Sequence, residues 1–410
     1  MKRYVIIGAS IAGVSCIEGI RSVDAQGEIT LVTAEASSNY GRPLISYYLE
    51  GKTDEARMSW RGADFYEKNR VTVLHETRAV SIDAQGHTVR LDSGAALPYD
   101  ALCVCTGSAP ACPKFEGLET VRRWQFFTTL ADAKTLEQTV TKQTKVLIIG
   151  AGFIGLKCAE GLHGRAGSVT VCDLADHAMS ASLDGESAAI LERHLAKNGV
   201  RLLLGDTVER FDGASARMKS GTTVDFDVLV IAVGVKPETA LTAAAGCAVE
   251  RGICVDETLH TSVSDVWAAG DCTQCRDISS GAPGVLAVLP AAAMQGTCAG
   301  VNMAGGSKTF DTGMKMNSIG FFGLHIMSAG TYTQLVYSDV TEYGCKKLFA
   351  KDGVLTGFIL VGDVKRAGIY TALIRERTPL SAIDFDAISR DPTLLPLGRA
   401  YRTQKLGGAV

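Results

Sequence analysis

The sequence lacks the features that identify several common functional classes. No apolar run reaches the roughly 20 residues that a membrane-spanning helix needs, and a formal net charge of -3 gives no basic field for nucleic acid or anionic lipid. The seven histidines show no metal-ligand spacing, and no four of the twelve cysteines resemble an iron–sulfur ligand set. We therefore expect no membrane span, no bound metal and, because no export signal is recognisable, a cytoplasmic location.

Most cysteines stand singly in apolar runs, at strand or helix positions where a small buried hydrophobe fits. Examples are Cys103, Cys105, Cys158 and Cys172. We predict that they are reduced core residues. Cys272 and Cys275 form a Cys-x-x-Cys motif, which can be redox-active, but we expect two packed thiols there rather than a functional disulfide.

Glycine is abundant, with 44 residues, and two segments use it in the same plan. In the first, a β-rich run at residues 4–7 leads into Gly8-Ala9-Ser10-Ile11-Ala12-Gly13. A helical pattern follows, then a strand at residues 29–33 and an acid, Glu35. In the second, residues 145–149 lead into Gly150-Ala151-Gly152-Phe153-Ile154-Gly155, and after a helix the strand at residues 168–172 ends at Asp173.

This plan is typical of dinucleotide binding. The glycines let backbone N–H groups approach a pyrophosphate at a helix N-terminus, and the acid accepts hydrogen bonds from ribose hydroxyls. Ser10 replaces the middle glycine of the first segment but is small enough for close approach. Because both copies have the strand–turn–helix context and the acid, we predict two nucleotide-binding folds.

A second repeated pattern supports this duplication. Residues 102–105 run into Thr106-Gly107-Ser108-Ala109-Pro110, and residues 228–232 run into Val233-Gly234-Val235-Lys236-Pro237. Each is a buried strand interrupted by glycine and ended by proline. Further along, a strand ends in Gly270-Asp271, and a helix begins near Pro290 with Ala291 and Gln295 in its first turns.

These residues, in this order, resemble the FAD/NAD-linked pyridine nucleotide–disulfide oxidoreductase superfamily over nearly the whole chain. The resemblance implies an α/β fold with two Rossmann-like nucleotide-binding domains of the glutathione-reductase type and a C-terminal α+β domain. Residues 1–112 and 237–306 would bind FAD, and residues 113–236 would bind NAD(H). Residues 307–391 would form the interface or docking domain, and residues 392–410 a tail that is either a partner-binding arm or disordered.

The resemblance also implies binding residues. Those for FAD are Gly8, Ser10, Ile11, Ala12, Gly13, Glu35, Arg42, Pro43, Thr106, Gly107, Gly270, Asp271, Ala291 and Gln295. Those for NAD(H) are Gly150, Gly152, Phe153, Ile154, Gly155, Asp173 and Gly234. Asp173 would repel a 2′-phosphate, at a cost of roughly 4 kcal/mol for charges about 4 Å apart, and no arginine follows it at residues 174–177. NADH is therefore favoured over NADPH.

Within the superfamily, residues 40–46 resemble the flavin-side segment of rubredoxin and ferredoxin reductases. They also resemble the flavoprotein part of the nitrite reductase large subunit and the flavoprotein subunit of phenylglyoxylate dehydrogenase. Disulfide-reducing branches carry a cysteine in this region, whereas residues 42–49 here contain none. A relay through a protein thiolate is therefore disfavoured.

A second departure concerns the residues beside the flavin. Related reductases often have lysine at the position of Tyr47 and glutamate at that of Lys157, which form an ion pair. Our hypothesis is that Lys157, with Tyr47, lies near the flavin and the nicotinamide and stabilises negative charge on reduced flavin. The alternative is that Lys157 is a helix residue whose ammonium group reaches water.

The leading functional hypothesis is an NADH:acceptor oxidoreductase that exchanges electrons through FAD with an iron–sulfur carrier or partner subunit. One alternative is a self-contained NADH oxidase or a reductase of small molecules or disulfides. Another is a nucleotide-binding structural subunit of a larger complex. The resemblance allows either a homodimer or a hetero-oligomer.

Overall fold

A computed structural model describes residues 1–393 of the chain. The predicted tail therefore lies, from residue 394 onward, outside the described residues. The α-helices described are α1 (Ile11–Arg21), α2 (Ile45–Leu49), α3 (Phe65–Lys68), α4 (Leu130–Thr139), α5 (Phe153–Leu162), α6 (Gly185–Lys197), α7 (Ala240–Ala244), α8 (Leu289–Met303), α9 (Ala367–Arg375) and α10 (Phe385–Arg390). Short 3-10 helices lie at Arg42–Leu44, Ala56–Met58, Leu118–Thr120 and Leu380–Ala382.

The strands in the first half of the chain are β1 (Arg3–Ile7), β2 (Glu28–Val32), β3 (Val71–Leu74), β4 (Ala79–Asp83), β5 (Thr88–Leu91), β6 (Ala96–Pro98), β7 (Ala101–Val104), β8 (Ser108–Pro110), β9 (Trp124–Gln125), β10 (Lys145–Ile149), β11 (Ser168–Asp173), β12 (Val200–Leu204) and β13 (Val208–Asp212). Those that follow are β14 (Ser215–Met218), β15 (Thr223–Asp225), β16 (Val228–Ile231), β17 (Val235–Pro237), β18 (Ile253–Cys254), β19 (Val266–Ala268), β20 (Thr273–Arg276), β21 (Pro283–Gly284), β22 (Met316–Phe321), β23 (Leu324–Gly330), β24 (Gln334–Val340), β25 (Cys345–Lys351) and β26 (Val354–Val361).

The chain divides into two compact units. The first consists of Met1–Val171, Val208–Asp277 and Ala282–Gly313, and the second of Cys172–Thr207, Ile278–Gly281 and the described chain from Met314 onward. None of the described helices combines the length and the apolar character that crossing a membrane requires.

The first unit contains a five-stranded parallel sheet in the order β19-β7-β1-β2-β3. Its central strands are buried on both faces: Ile6 and Cys103 belong to one apolar cluster, and Val5 and Leu102 to another. Apolar runs without alternation are typical of such sheets, because elements cover both sides. Parallel strands place the ends of β1, β7 and β19 at one edge, and the predicted binding segments follow these ends.

Helix α1 packs against α8 at two glycines of α8 where there is no room for a side chain. A Cβ at Gly296 would lie 2.1 Å from the carbonyl oxygen of Ala12, and one at Gly300 would lie 2.1 Å from that of Cys16. The glycines therefore allow the two helix backbones to touch. This contact places the first turn of α1, at Ala12, against the middle of α8, at Gly296.

The first unit also contains the core of the second parallel sheet, in the order β11-β10-β16-β9, with parallel pairs β10–β16 and β16–β9. Each copy also contains a three-stranded antiparallel sheet. It is formed by β4, β5 and β6 in the first copy and by β13, β14 and β15 in the second. Two successive copies of one plan are thus present in structure as well as in sequence.

The second unit contains a five-stranded antiparallel sheet in the order β22-β23-β26-β25-β24. Its core includes Leu348, Phe358, Tyr370 and Leu373, so that α9 packs on β26. The predicted fold class, with two parallel-sheet nucleotide-binding folds and a C-terminal α+β part, is confirmed. The boundaries of the nucleotide-binding domains remain predictions.

Candidate functional site

The two glycine turns have the same backbone geometry. Gly8 and Gly150 both have φ of 113°, a conformation that favours glycine. A Cβ at these positions would lie 2.1 Å from the carbonyl oxygen of Cys105 and 2.2 Å from that of Ala232, respectively. Each turn is therefore pressed against the neighbouring strand, and neither glycine can be replaced without moving backbone.

The last glycine of each turn is equally constrained. A Cβ at Gly13 would lie 2.0 Å from the carbonyl oxygen of Gly8, and one at Gly155 would lie 1.9 Å from that of Gly150. Both glycines therefore allow a helix to start directly against its own turn.

The middle position of each turn explains why serine is accepted. Ser10 has φ of -82° and ψ of -171°, and Gly152 has φ of -85° and ψ of -171°. This extended conformation is open to any residue, so Ser10 causes no strain. Neither residue caps its helix with a side chain, which leaves the first N–H groups of α1 and α5 for a ligand.

Four predicted residues supply these N–H groups. Ile11 and Ala12 are the first two residues of α1, and Phe153 and Ile154 are the first two of α5. These residues contribute through their backbone N–H groups and not through their side chains. The glycines of the sequence pattern determine the backbone conformation that exposes these groups.

Arg42 connects two predicted acids of the first unit. Its guanidinium pairs with Glu35, which also accepts a 2.5 Å hydrogen bond from the hydroxyl of Tyr40. Burial raises the pKa of Asp271, while the charge of Arg42 and a hydrogen bond from Ser108 act in the opposite direction. A half-buried carboxylate beside an arginine, at the carboxyl edge of a parallel sheet, is suited to accepting hydrogen bonds from ligand hydroxyls.

Pro43 lies next to Arg42 in the 3-10 helix Arg42–Leu44. Arg42 is fixed from its other side as well, because it donates a 2.9 Å hydrogen bond to the carbonyl oxygen of Thr128. The segment that resembles the flavin-side region is therefore held in place by its own neighbours.

The side chain of Gln295 is engaged within the protein, and its contribution to cofactor binding stays a prediction. The residue is fully buried; its side-chain oxygen accepts from the N–H of Gly270 at 2.7 Å, and its nitrogen donates to the Cys275 sulfur at 3.2 Å. Gln295 thus fixes the turn that carries Asp271, in which Gly270 has φ of 90°. Ala291, in the first turn of α8, is also buried.

The second repeated pattern forms a direct contact. Strand β17 pairs antiparallel with β8, and Val235 lies opposite Pro110. Gly107 (φ 69°) and Gly234 (φ 109°) precede these strands, and a Cβ at either would meet open space. Thr106 donates a 2.8 Å hydrogen bond to the carbonyl oxygen of Glu238, which ties the two crossing segments together.

Asp173 is the last residue of β11, as the sequence pattern predicts. Its carboxylate accepts a 2.9 Å hydrogen bond from the N–H of Ala175. This bond turns the chain after the strand and fixes the carboxylate at the strand tip.

Lys157 and Tyr47 are brought together. The Lys157 ammonium lies 4.4 Å from the centre of the Tyr47 ring, within range of a cation–π interaction. Lys157 is 9% exposed and forms an ion pair with Glu160, which is 4% exposed. The alternative of a water-reaching lysine is therefore disfavoured by the burial, since the charge is balanced inside the protein.

Glu160 was missed by the sequence reasoning. Lysine and glutamate three residues apart on one helix face each other, and this spacing is the signal that would have found the pair. The site keeps one lysine and one glutamate, but both are on α5, and an aromatic ring from α2 contacts the lysine.

Asn39 is a second residue that the sequence did not indicate. Its N–H donates to the carbonyl oxygen of Ala9 in the first glycine turn, at 3.1 Å. Its buried side-chain oxygen has no hydrogen-bond partner among the described residues. A buried acceptor beside a phosphate-binding turn is costly unless a ligand donates to it. With the open helix N-termini and Asp271, it indicates that the residues present fit a bound dinucleotide.

The thiols of the Cys-x-x-Cys motif do not form a redox pair. Cys272 packs in one apolar cluster and Cys275 in the other, and both are free. Burial raises the pKa of Cys272 to about 12 and that of Cys275 to about 11. Neither therefore forms a thiolate near neutral pH. The predicted reduced core residues Cys103, Cys105, Cys158 and Cys172 are likewise buried and free.

We expect the Cys275→Ala variant to transfer electrons from NADH at the rate of the unchanged protein. The thiol is packed rather than reactive, so the loss is restricted to roughly 1–2 kcal/mol of stability. Turnover with NADH and thiol counts before and after anaerobic reduction measure this. A gain of two titratable thiols on reduction would contradict it.

The chain is similar to known proteins over most of its length. The family model described as pyridine nucleotide-disulphide oxidoreductase matches residues 2–296. The NADH-dependent phenylglyoxylate dehydrogenase subunit epsilon of Aromatoleum evansii is 32% identical over 394 residues, which are 93% of this chain and 93% of that protein. The nitrite reductase (NAD(P)H) of Bacillus subtilis is 28% identical over 93% of this chain, which spans only 48% of its length. The structure of an NAD-dependent persulfide reductase from A. fulgidus matches with a TM-score of 0.83 and 29% identity, over 91% of this chain and 77% of that one.

Proposed function

Because the chain belongs to the pyridine nucleotide-disulphide oxidoreductase family, we propose that it passes electrons from NADH through FAD to an iron–sulfur protein or partner subunit. The protein is an NADH-dependent oxidoreductase that uses FAD and NAD(H). What is proposed is the route by which electrons leave. The observation that carries it is the absence of a thiol from residues 42–49, together with the burial of both thiols of the Cys-x-x-Cys motif.

We assign residues 1–112 and 237–306 to FAD and residues 113–236 to NAD(H). The N–H groups at the start of α1 and α5 hold the two pyrophosphates. Glu35 and Asp173 bind the adenosine riboses, and Asp271 accepts from a hydroxyl of the flavin chain. Bound FAD supplies the acceptance of hydride and the release of single electrons.

Lys157 is assigned to the flavin pocket. Its charge is held by Glu160 and by the ring of Tyr47, both in the first unit. A fixed positive charge in a site from which water is excluded favours the form of a bound group that carries negative charge. The role of Tyr47 is to position this ammonium.

A second candidate function is a self-contained reductase of persulfides or disulfides, or an oxidase. Similarity to a persulfide reductase favours it. The chemistry of these substrates generally needs a nucleophilic thiolate. Among the described residues, burial raises the pKa of Cys158 and Cys172. The pKa of Cys105 is raised by its hydrogen bond with Cys103 and by burial, and that of Cys103 is raised by Cys16 and by burial against the opposing effect of Cys105. We therefore place it second.

The test is reoxidation of the NADH-reduced protein, measured anaerobically by rapid mixing. We expect fast reoxidation by a rubredoxin or ferredoxin, and reoxidation by air or a persulfide that is at least tenfold slower. Faster reoxidation by oxygen or a persulfide would establish the second candidate. If NADH did not bleach the flavin absorbance, both catalytic candidates would be wrong and the chain would be a structural subunit.

Replacing Asp173 by alanine is expected to relax the preference for NADH over NADPH. Repulsion between a carboxylate and a 2′-phosphate is worth roughly 4 kcal/mol at 4 Å, so a change of tenfold or more in the ratio of kcat/KM values is expected. Steady-state kinetics with both coenzymes measure it. The matched control is Asp176→Ala, which removes an exposed carboxylate and should leave the ratio unchanged.

Two substitutions of Tyr47 separate the role of its ring, which contacts the Lys157 ammonium, from the role of its hydroxyl. We expect Tyr47→Phe to behave as the unchanged protein and Tyr47→Leu to lower the two-electron flavin potential, by about 30 mV for each tenfold weakening of the reduced form. Lys157→Ala should lower it further and slow reduction by NADH. Equilibration with redox dyes gives the potential, and an unchanged potential in Lys157→Ala would overturn the assignment.

A further inference from the structure

The second unit contains a charged cavity that none of the residues assigned above lines. Its volume is about 310 Å³, and it opens between the end of β26, the start of α9 and the end of α10. The side chains that decide its character are Lys346, Lys365, Arg366, Arg390, Asp363 and Asp391. Four cations thus face two carboxylates in a protein whose overall charge is -3.

Two carboxylates cannot balance the four cations, and one of the two is already paired with a cation. Asp391 pairs with Arg366 at 3.1 Å, and Asp363 accepts a 3.1 Å hydrogen bond from the N–H of Lys365. Among residues 1–393, the side chains of Lys365 and Arg390 have no carboxylate partner. The cavity therefore keeps an excess of positive charge.

Lys346 adds to this excess. Its ammonium donates to the carbonyl oxygens of Ser389 (3.2 Å) and Arg390 (2.7 Å) at the end of α10. Neutral carbonyl groups fix the position of the ammonium without cancelling its charge. Lys346 is thus a cation that is held in place before any ligand arrives, which lowers the entropy cost of binding.

The start of α9 makes the same wall of the cavity favourable to anions. No side chain caps this nine-residue helix, and its second residue is Gly368, at which a Cβ would meet open space. The N–H groups of Ala367 and Ile369 already donate to the carbonyl oxygens of Val364 and Arg366, so the exposed Gly368 supplies the accessible N–H group at this helix start. Its partial positive charge adds to that of the cations.

We propose that this cavity binds the phosphate group of a small phosphate-bearing molecule. Guanidinium and ammonium groups are the side chains that recognise phosphate in proteins. A volume near 310 Å³ lies at the lower end of the range for ligand pockets, which fits a phosphate with a small organic part and not a dinucleotide. The site is separate from the proposed electron-transfer function and does not rest on it.

The experiment is a calorimetric titration of the flavin-loaded protein with inorganic phosphate and with glycerol phosphate, at constant ionic strength. Saturating NAD⁺ is present so that the dinucleotide turn is not available to phosphate. Chloride is the control for binding of any negative charge, because it lacks the geometry of phosphate. Succinate is the control for binding of a carboxylate in place of phosphate. We expect binding of phosphate or its ester, and at least tenfold weaker binding in Lys365→Ala with Arg390→Ala.

Two variants keep the result interpretable. Lys351→Ala removes an exposed lysine at the end of β25, and should bind as the unchanged protein does. Lys365→Arg keeps the charge and should retain binding. Equal binding by the double variant, no binding beyond that of chloride, or a tenfold preference for succinate would each overturn the proposal. Unchanged flavin content shows that the variants are folded.

Discussion

The Gly155→Ala variant is expected to retain FAD and to lose reduction by NADH. The added Cβ would lie 1.9 Å from the carbonyl oxygen of Gly150 and 3.1 Å from its carbonyl carbon. Both atoms belong to backbone, so no side chain can move to relieve the overlap. Displacing the turn withdraws the N–H groups at the start of α5 from the pyrophosphate. We expect NADH affinity to fall by at least a hundredfold, about 2.7 kcal/mol.

The matched variant in the first fold is Gly13→Ala, whose Cβ would lie 2.0 Å from the carbonyl oxygen of Gly8. It should purify with little FAD. Gly185→Ala is the control, because a Cβ there meets open space and alanine favours the helix. Flavin content and rapid-mixing reduction by NADH measure the three variants. If Gly155→Ala bound NADH normally, the assignment of the second turn would be wrong.

The combined variant Asp184→Asn with Glu186→Gln is expected to lose about 3–5 kcal/mol of stability in the second unit. These carboxylates pair with Lys347 at 2.6 and 2.7 Å, and the Lys347 side chain is only 4% exposed. Neutralising both partners leaves a buried ammonium without compensation. Asparagine still caps α6 in place of Asp184. The loss of stability therefore measures the missing carboxylate charges and not a missing helix cap.

The opposite deletion provides the contrast. Lys347→Met leaves two carboxylates whose side chains are 44% and 62% exposed and are solvated by water. We therefore expect a loss of only about 1 kcal/mol. Urea unfolding of the flavin-loaded protein measures both variants. A greater loss in Lys347→Met than in the double variant would contradict the argument.

The pH dependence of this cluster follows from the same contacts. Burial opposes ionisation of Asp184, but hydrogen bonds from Lys347 and Ser187 outweigh it and lower its pKa below the ordinary 3.8. Burial also opposes the charge of Lys347, but Asp184 and Glu186 raise its pKa above 10.5. Asp184 thus loses its contribution as the pH falls below about 4, and Lys347 as it rises beyond about 10.5. The difference in stability between the unchanged protein and the double variant should be greatest between these limits.

The sequence by itself determined the repeated plan and the chemistry of its turns. Gly8, Gly13, Gly150 and Gly155 were identified because their spacing is set by local backbone geometry. The φ angles of Gly8 and Gly150, and the close backbone contacts at Gly13 and Gly155, agree with that geometry. The absence of cysteine from residues 42–49 was equally readable. The family assignment, the fold class and the two coenzymes followed from these short-range patterns.

Only the tertiary structure decided which side chains balance one another. The contact of Lys157 with the Tyr47 ring, the bonds of Gln295 to Gly270 and Cys275, and the proximity of Arg42 to Asp271 are examples. Most of these contacts join segments far apart in sequence, and their energies depend on burial, which a local pattern does not encode. The separation of Cys272 from Cys275 into two apolar clusters has the same cause, because the elements packed around each thiol determine which cluster it joins.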